Sequence, residues 1–215
     1  MLAINTAFMT ANLGLCTKDG VVVTRDVDAN SKHSENMLKT IDEMCQEAKI
    51  DILDVETVAV VVGPGSFTGL RIGTAVAKAL GCVNEMLKFE ALSSLGLMAY
   101  IIAKHKLCKG KFACVINALS DLFFVAYFDE NGISIQNEAL IERTEFEKIY
   151  VPKFALKGDL TGEDVFEIEI TAKDLLEFAK EEERQKKFVK IEEMVPKYLR
   201  LSQAEDNLKK KQKKD

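Results

Sequence analysis

The residues best placed to do chemistry lie in a short loop, Gly63-Pro64-Gly65-Ser66, that separates an apolar run from a helical pattern. The apolar run, Val58–Val62, is rich in β-branched residues and predicts a buried strand. Free backbone N–H groups at the start of a helix attract anions such as phosphate, which makes Gly63, Gly65 and Ser66 candidates for an anion or nucleotide loop. The same glycines are equally suited to turning a strand into a helix without any ligand. Both interpretations stay open on these residues alone.

Ser66 is better suited to capping a helix than to attacking a substrate. A nucleophile elbow requires Gly-x-Ser-x-Gly, but the second residue after Ser66 is Thr68. The loop also lacks the Gly-Lys-Ser/Thr of a P-loop and the GxGxxG spacing of a dinucleotide-binding turn. Either Ser66 or Thr68 offers a side-chain oxygen to the first amides of the helix that follows. The loop therefore predicts no catalytic residue.

The histidines and cysteines predict no metal site. Metal-binding histidines are often one helical turn apart, but Met37 stands four residues after His33. The other histidine, His105, lies in a different region, and no carboxylate is spaced to join the two. The five cysteines form no CxxC pair and are typical of small core residues in a reducing cytoplasm.

The helix after the loop carries a stripe of small residues. Gly69, Gly73, Ala77 and Gly81 recur at every fourth position and so share one face, here called the small-residue stripe. Such a stripe lets another backbone come close, which offsets the roughly 1 kcal/mol that each helical glycine costs. The helix is predicted to run to about Leu80 and to stop at Gly81. The stripe predicts close packing, either within the chain or on a partner.

The composition is that of a globular protein with little affinity of its own for nucleic acid. Of 215 residues, 47% are hydrophobic and 29% are charged, and no apolar run is long enough to span a bilayer. The net charge is −5, which disfavours RNA binding by the protein's own field. Residues 203–215 form a lysine-rich tail of charge +2, predicted to be disordered, so the body carries −7. Met1 leads directly into a strand pattern without a signal peptide, which predicts a cytoplasmic location.

The hydrophobic pattern along the chain predicts an α/β fold built from two similar passes. The first pass has strands near residues 1–6, 13–17 and 21–26, a hairpin at Lys18-Asp19-Gly20, a helix at Ser34–Ala48, and the strand, loop and helix described above. The second pass, residues 88–142, repeats similar elements, with a strand near Phe89, a helix from Ser93 to about His105 and three further strands. A short helix near Thr144, a strand at Phe154–Lys157 and an amphipathic helix from Asp174 to about Lys187 complete the pattern.

Three motifs, GPGSFTGLRIG, LAINTA near the N-terminus and VPKYLR near the C-terminus, resemble the TsaB (YeaZ) family. The resemblance extends from Met1 to about Leu201. It implies a two-lobed actin-like ATPase or ribonuclease H-like fold, with mixed sheets flanked by helices. Residues 1–88, joined by the C-terminal segment 188–202, would form the first lobe, and residues 89–187 a second, smaller lobe.

The resemblance also implies a function. TsaB proteins are the non-catalytic partners of TsaD in forming N6-threonylcarbamoyladenosine at position 37 of tRNA. TsaE would join the same assembly, and tRNA would be contacted only indirectly. Apart from the resemblance, exposed apolar surface on the face predicted to meet TsaD would also allow a homodimer when TsaD is absent. No cofactor is expected on the chain alone, and ATP or ADP would enter only within the full assembly.

Several residues depart from the family patterns. Asn5 stands on the first strand where TsaB sequences more usually have aspartate, and a neutral amide is a weak partner for Mg²⁺. Asn117 and Leu119 replace the usual Asp and Arg of the Asp-Ala-Arg pattern, so Asp121 is interpreted as a turn residue. The HxxxH pair of TsaD is missing. These departures count against two rival functions, a nucleotide-binding ATPase or kinase and a metal-dependent peptidase.

The faces of two helices are predicted to meet TsaD. The small-residue stripe would allow close approach, and neighbouring apolar residues would supply burial. The predicted partner-binding residues are Met37, Leu38, Ile41, Gly69, Leu70, Ile72, Gly73, Val76 and Ala77. A Gly73→Leu variant would then lose the heterodimer while the monomer stays folded. The segment Val195–Arg200 is predicted to pack over the first lobe, with Arg200 a candidate for a partner carboxylate or a phosphate.

Overall fold

The computed structural model, which describes residues 1–28 and 33–199, contains two five-stranded mixed sheets with helices between and outside them. The first sheet comprises β1 (Leu2–Asn5), β2 (Thr10–Cys16), β3 (Val22–Asp28), β4 (Thr57–Gly63) and β5 (Lys88–Ser93). The second comprises β6 (Phe112–Asn117), β7 (Leu122–Phe128), β8 (Ser134–Glu142), β9 (Lys153–Leu156) and β10 (Val165–Ile168). The α-helices are α1 (His33–Ala48), α2 (Phe67–Val83), α3 (Ser94–Lys104), α4 (Arg143–Phe146) and α5 (Ala172–Glu183), and short 3₁₀ helices lie at Ile52–Asp54 and Ile191–Glu193.

The two sheets share one topology. In the first, β1, β2 and β3 form an antiparallel meander, and β4 and then β5 add to the free side of β1 in parallel. In the second, β6, β7 and β8 form the meander, and β9 and β10 add to β6 in parallel. The two-lobed α/β fold with mixed sheets is therefore confirmed. The sequence did not predict β10, in which Ile168 is the one buried residue, so no alternation of buried and exposed positions marks the strand.

Helices α1 and α2 cover one face of the first sheet. Met37 and Ile41 of α1 and Ala77 of α2 are buried in a cluster with Ile4 and Val60 of the sheet. This burial explains the 3.6-residue hydrophobic period seen in α1, since Met37, Ile41 and Met44 all point at the sheet, while Leu38 beside them faces outward. The outward sides of both helices are consequently left exposed.

Helices α3 and α5 form a layer between the two sheets. Leu97 and Ile101 of α3 belong to a cluster on the other face of the first sheet, while Met98 and Ile102 pack against Phe112 of the second. Helix α5 follows the last strand of the second sheet but packs mainly on β1 and β2 of the first. The two sheets are therefore connected through the helices packed between them, α3 above all.

The C-terminal segment returns to the first sheet. The Val189 amide donates to the Phe89 carbonyl over 2.9 Å, and Met194 is fully buried in the core under α1 and α2. Strand β5 spans residue 88, and α5 lies on the first sheet although its residues fall in the range 89–187. The predicted lobe boundaries stay predictions. Arg200 and the predicted tail, residues 203–215, lie outside the described residues.

The end of α2 differs from the prediction. The helix does not stop at Gly81 but continues to Val83, with Asn84 as its C-cap. Gly81 is instead a buried packing position, because a Cβ there would lie 2.4 Å from Ile191 Cδ1 and 2.8 Å from Phe89 Cζ. The glycine thus makes room for the returning C-terminal segment.

Candidate partner-binding surface

The glycine loop is a strand-to-helix turn closed by hydrogen bonds within the chain. Ser66 is the N-cap of α2, as predicted, and its Oγ accepts from the Gly69 amide over 3.2 Å. The Ser66 amide donates to the Ala7 carbonyl over 2.8 Å. Gly63 has a φ of +130°, a conformation that side-chain-bearing residues rarely adopt. Backbone geometry thus explains the first glycine of the loop.

The space beside the loop is occupied by other parts of the chain. A Cβ at Gly65 would lie 2.6 Å from the Ala7 carbonyl oxygen. On the other side, the Lys197 amide donates to the Val62 carbonyl over 2.7 Å, and the Lys197 carbonyl oxygen lies 3.0 Å from where a Gly63 Cβ would be. A carbonyl oxygen carries partial negative charge and disfavours a phosphate nearby. Anion binding by Gly63, Gly65 and Ser66 stays a prediction, while the packing role of these glycines is visible.

The small-residue stripe packs on the end of β1. The Thr6 hydroxyl donates to the Gly69 carbonyl over 2.6 Å, and a Cβ at Gly69 would lie 1.9 Å from the Thr6 carbonyl oxygen. A Cβ at Gly73 would lie 2.6 Å from Thr6 Oγ1. The prediction that the stripe admits a partner helix is therefore wrong for these glycines, because Thr6, the residue directly after β1, already fills the space.

Most of the predicted partner-binding residues are buried in the protein's own core. The buried ones are Met37, Ile41, Leu70, Gly73, Val76 and Ala77. Gly69 and Ile72 are half-buried, and Leu38 is 53% exposed. The structure thus corrects the predicted face, since buried side chains cannot supply contacts to a partner while the first lobe stays intact. Of the nine, Leu38 is the one exposed residue.

The exposed side of α2 lies opposite the stripe. We define the outer face as the following exposed residues: Thr68, Arg71, Ala75 and Ala79 of α2, and Leu38 of α1. Both helices cover the same side of the first sheet, so these residues share one side of the molecule. Alanine and threonine are small, so a partner helix can approach the α2 backbone on this side without displacing the chain's own core.

An aromatic and cationic cluster lies at the start of the outer face. The rings of Phe67 and Tyr198 stack with centroids 4.7 Å apart, and Arg71 Cζ lies 4.0 Å from the Phe67 centroid. Arg71 Nε donates to the Tyr198 hydroxyl over 2.9 Å. We call these three residues the Arg71 cluster. The sequence did not predict it, although the four-residue spacing of Phe67 and Arg71 in one motif and the tyrosine in VPKYLR were visible.

The segment that carries Tyr198 is held by both lobes. Lys197 Nζ pairs with Glu138 Oε2 of β8 over 2.6 Å, and Glu138 Oε1 accepts a hydrogen bond from the Ser93 hydroxyl at the end of β5. The predicted packing of the VPKYLR segment over the first lobe is confirmed for its described residues by the backbone bond of Lys197 to Val62 and by the contacts of Tyr198 with Phe67 and Arg71 of α2.

Asn5 is a buried structural amide. Its Nδ2 donates to Asn12 Oδ1 over 2.7 Å, and its Oδ1 accepts from the Ala7 amide over 3.0 Å. Asn12 in turn donates to Asp26 Oδ1 over 2.7 Å, and the same Asp26 oxygen accepts from the Ala172 amide at the start of α5. The first strand is thus joined to α5 by a chain of hydrogen bonds that uses both ends of the Asn5 amide.

Glu90 on β5 is a buried carboxylate in an acidic setting. It is 3% exposed, and neither of its carboxylate oxygens has a hydrogen-bond partner among the described side chains, those of residues 1–27 and 37–199, or in the described backbone. Burial, together with the negative charges of Glu183 and Glu182 on α5, raises the pKa of Glu90 to about 7. At neutral pH the Glu90 carboxyl group is therefore protonated in a large fraction of the molecules.

The other residues singled out in the sequence have structural roles or contacts. Asp121 lies in the β6–β7 turn with φ +60°, and its Oδ1 accepts from Arg143 Nε over 2.7 Å. His105 Nε2 lies 3.8 Å from Asp174 Oδ1, while the side chain of His33 is outside the description. Within the described ranges, no three histidine, cysteine or acidic side chains are grouped as a metal would require. No helix in those ranges is both long and apolar enough to cross a membrane.

Comparison with known sequences shows that the chain is similar to proteins of tRNA modification. The family model described as TsaD, tRNA N6-adenosine threonylcarbamoyltransferase, matches residues 18–189. The tRNA threonylcarbamoyladenosine biosynthesis protein TsaB of Bacillus subtilis (strain 168) is 29% identical over 99 residues, which cover 46% of this chain and 43% of that protein. TsaB of Escherichia coli (strain K12) is 28% identical over 134 residues, which cover 62% of this chain and 57% of that protein. The matches thus span about half the length of these curated relatives.

Solved structures share the fold. A Pseudomonas aeruginosa protein described as similar to peptidase YeaZ has a TM-score of 0.77 at 22% identity, covering 93% of this chain and 98% of that one. YeaZ from Pseudomonas aeruginosa has a TM-score of 0.75 at 21% identity, covering 92% and 98%. The resemblance expected from the three motifs is therefore confirmed in sequence and in fold.

Proposed function

The chain belongs to the TsaD family of tRNA N6-adenosine threonylcarbamoyltransferases, and we propose that it is a non-catalytic, TsaB-type subunit that binds and supports TsaD. In this role it would act in the transfer of threonylcarbamoyl to adenosine 37 of tRNA. The observation that carries the proposal is the similarity to TsaB biosynthesis proteins, joined to a fold of the YeaZ type.

The absence of a catalytic role is supported by what the candidate catalytic positions do. In actin-like ATPases an acidic residue on the first strand holds the metal of the nucleotide, but Asn5 at that place has its amide oxygen and nitrogen engaged within the chain. The glycine loop is packed between Ala7 and Lys197, with a carbonyl oxygen beside Gly63. These contacts favour a scaffold over an ATPase or kinase. A nucleotide would enter through TsaD and TsaE in the full assembly.

The surface proposed to meet TsaD is the outer face. It combines small side chains on α2 with the exposed Leu38 on α1, and it carries the Arg71 cluster at one end. Close helix packing over Ala75 and Ala79 would bury this face without disturbing the core behind it. The same face would support a homodimer when TsaD is absent, because exposed apolar surface favours coverage.

The rest of the assembly follows from charge and from the family. The chain carries a net charge of −5, which disfavours direct binding of tRNA, so TsaD would hold the RNA. TsaE would join as a third component. Assembly in the cytoplasm, where tRNA is modified, is part of the same proposal.

The proposal is tested by reconstituting the modification with TsaD and TsaE of the same organism. Formation of N6-threonylcarbamoyladenosine on tRNA is measured by mass spectrometry of digested RNA, with and without this chain. We expect modification to depend on the chain, and to be lost again with an Ala75→Arg variant that places a charged side chain on the outer face. Full modification in the absence of the chain would contradict the proposal.

A further inference from the structure

Arg71 is held in place but its charge is not neutralised. Its Nε is bound to the Tyr198 hydroxyl at 2.9 Å and its guanidinium lies over the Phe67 ring at 4.0 Å. The side chain is nevertheless exposed on α2. A guanidinium fixed through Nε and one ring face keeps its two terminal nitrogens available for a further planar partner.

The other arginines of the described ranges are all paired with carboxylates. Arg25 contacts Glu47, Arg143 contacts Asp121 over 2.7 Å, and Arg184 contacts Glu181 over 2.6 Å. Among the described side chains, those of residues 1–27 and 37–199, Arg71 is therefore the only arginine without an acidic partner. The chain has a net charge of −5 and 34 acidic side chains, so an arginine would readily find a carboxylate partner within the chain. That Arg71 is ordered without one leaves its charge available to a partner.

The position of the Arg71 guanidinium depends on contacts made by the neighbour of Tyr198, Lys197. Tyr198 is fixed by the backbone bond of Lys197 to Val62 and by the ion pair of Lys197 with Glu138 in the second sheet. The tyrosine therefore limits the rotamers of Arg71 before any partner arrives. Such preorganisation reduces the conformational entropy that the long side chain loses on binding.

We propose that Arg71 is a preorganised anchor for a carboxylate of TsaD, bound through its two terminal nitrogens, and that Tyr198 is its positioning residue. The inference rests on the proposed function, since it assigns one contact within the outer face. An aspartate or glutamate matches the planar guanidinium in a two-bond pair. A protein carboxylate is favoured over an RNA phosphate because the surrounding protein is acidic and the neighbouring α2 residues Ala75 and Ala79 are suited to protein packing.

The test measures the dissociation constant of the heterodimer with TsaD of the same organism by calorimetry. Arg71→Met is expected to weaken binding by tenfold to a hundredfold, and Arg71→Lys, which keeps the charge but not the fork, by about tenfold. The control Arg184→Met removes the same side chain from the C-cap of α5, a helix on the opposite face of the first sheet, and is expected to bind within twofold of wild type. Melting temperatures close to wild type establish that all three variants fold.

The positioning role is tested by a double-mutant cycle. Tyr198→Phe keeps the stacked ring but removes the acceptor of Arg71 Nε, and we expect a loss of about threefold in affinity. In the Arg71→Met background the same change should have no further effect, because Tyr198 acts through Arg71. Equal and additive losses in both backgrounds would overturn the positioning role.

The outcomes separate this inference from the proposed function. Failure of the wild-type chain to bind TsaD would contradict both. Wild-type binding with Arg71→Met unaffected would overturn the anchor alone. If Arg71→Met left TsaD affinity unchanged but lowered retention of tRNA by the heterodimer in a filter assay, the group recognised would be a phosphate and the carboxylate assignment would be overturned.

Discussion

Thr6 and Gly69 approach so closely that only a glycine fits between strand and helix. The Thr6 hydroxyl donates to the Gly69 carbonyl over 2.6 Å, and a Cβ on Gly69 would lie 1.9 Å from the Thr6 carbonyl oxygen. This contact packs the Gly69 side of helix α2 against the end of β1, so that the opposite side of α2 faces outward. The position of the outer face is a consequence of this contact.

The first prediction concerns the small-residue stripe. Gly69→Ala and Gly73→Leu should destabilise the folded chain by at least about 2 kcal/mol, since each new side chain meets Thr6 and the overlap exceeds the roughly 1 kcal/mol gained in helix propensity. The free energy of unfolding is measured by urea denaturation. As a control, Ala75→Leu on the exposed side of α2 should leave stability within about 0.5 kcal/mol of wild type. A fully stable Gly73→Leu chain would restore the role first predicted for the stripe.

A second prediction separates binding from folding at the outer face. Ala75→Arg should leave the melting temperature unchanged but weaken TsaD binding more than tenfold, because a large charged side chain separates the packed helices. Asn131→Arg, which adds the same charge at an exposed turn of the second lobe, serves as the control in a pull-down with TsaD. Loss of binding by both variants would indicate a general charge effect, and loss by neither would remove Ala75 from the interface.

The third prediction concerns pH. The pKa of Glu90 is raised from 4.5 to about 7. Between these two pH values the folded protein therefore keeps a proton on Glu90 that the unfolded chain has released. The associated stability is fully present below pH 4.5 and is lost as the pH rises through about 7, by roughly 1–3 kcal/mol. Glu90→Gln should therefore flatten the dependence of melting temperature on pH between 5 and 8. The exposed Glu43→Gln should keep the wild-type slope, and an unaltered slope in Glu90→Gln would contradict the assignment.

The fourth prediction tests the buried amide of the first strand. Asn5→Asp replaces the donor to Asn12 Oδ1 by a carboxylate, so two oxygens would face each other at 2.7 Å in a buried site. We expect a loss of about 1–3 kcal/mol in unfolding free energy at pH 7, and a smaller loss at pH 4, where a protonated aspartate can donate. Asn131→Asp at an exposed turn is the matched control. If Asn5→Asp were as stable as wild type at pH 7, the hydrogen-bond chain would not require an amide.

Features set by neighbouring residues could be predicted from the sequence. Gly20 takes a φ of +87° in the predicted hairpin, and Ser66 caps α2 as its position after the glycines indicates. Both depend on contacts within a few residues. The alternation of strands and helices likewise gave the α/β fold, because hydrophobic period is a local property.

Features set by distant residues could not be predicted. The period of the small-residue stripe shows that something lies close to α2, but not that it is Thr6, 63 residues away. Arg71 and Tyr198 meet across 127 residues, and a single sequence does not indicate that pairing. Gly81 illustrates the same point, since its contact with Ile191 outweighs its local tendency to end a helix.

The measurement that tests the central claim most directly is the mass of the complex formed by this chain and TsaD of the same organism. The two proteins are mixed at equal concentration and examined by size-exclusion chromatography with light scattering. We predict a stable heteromer whose mass includes this 24.0 kDa chain, and its loss with Ala75→Arg. Separate elution of the two proteins, with and without ATP, would contradict the account.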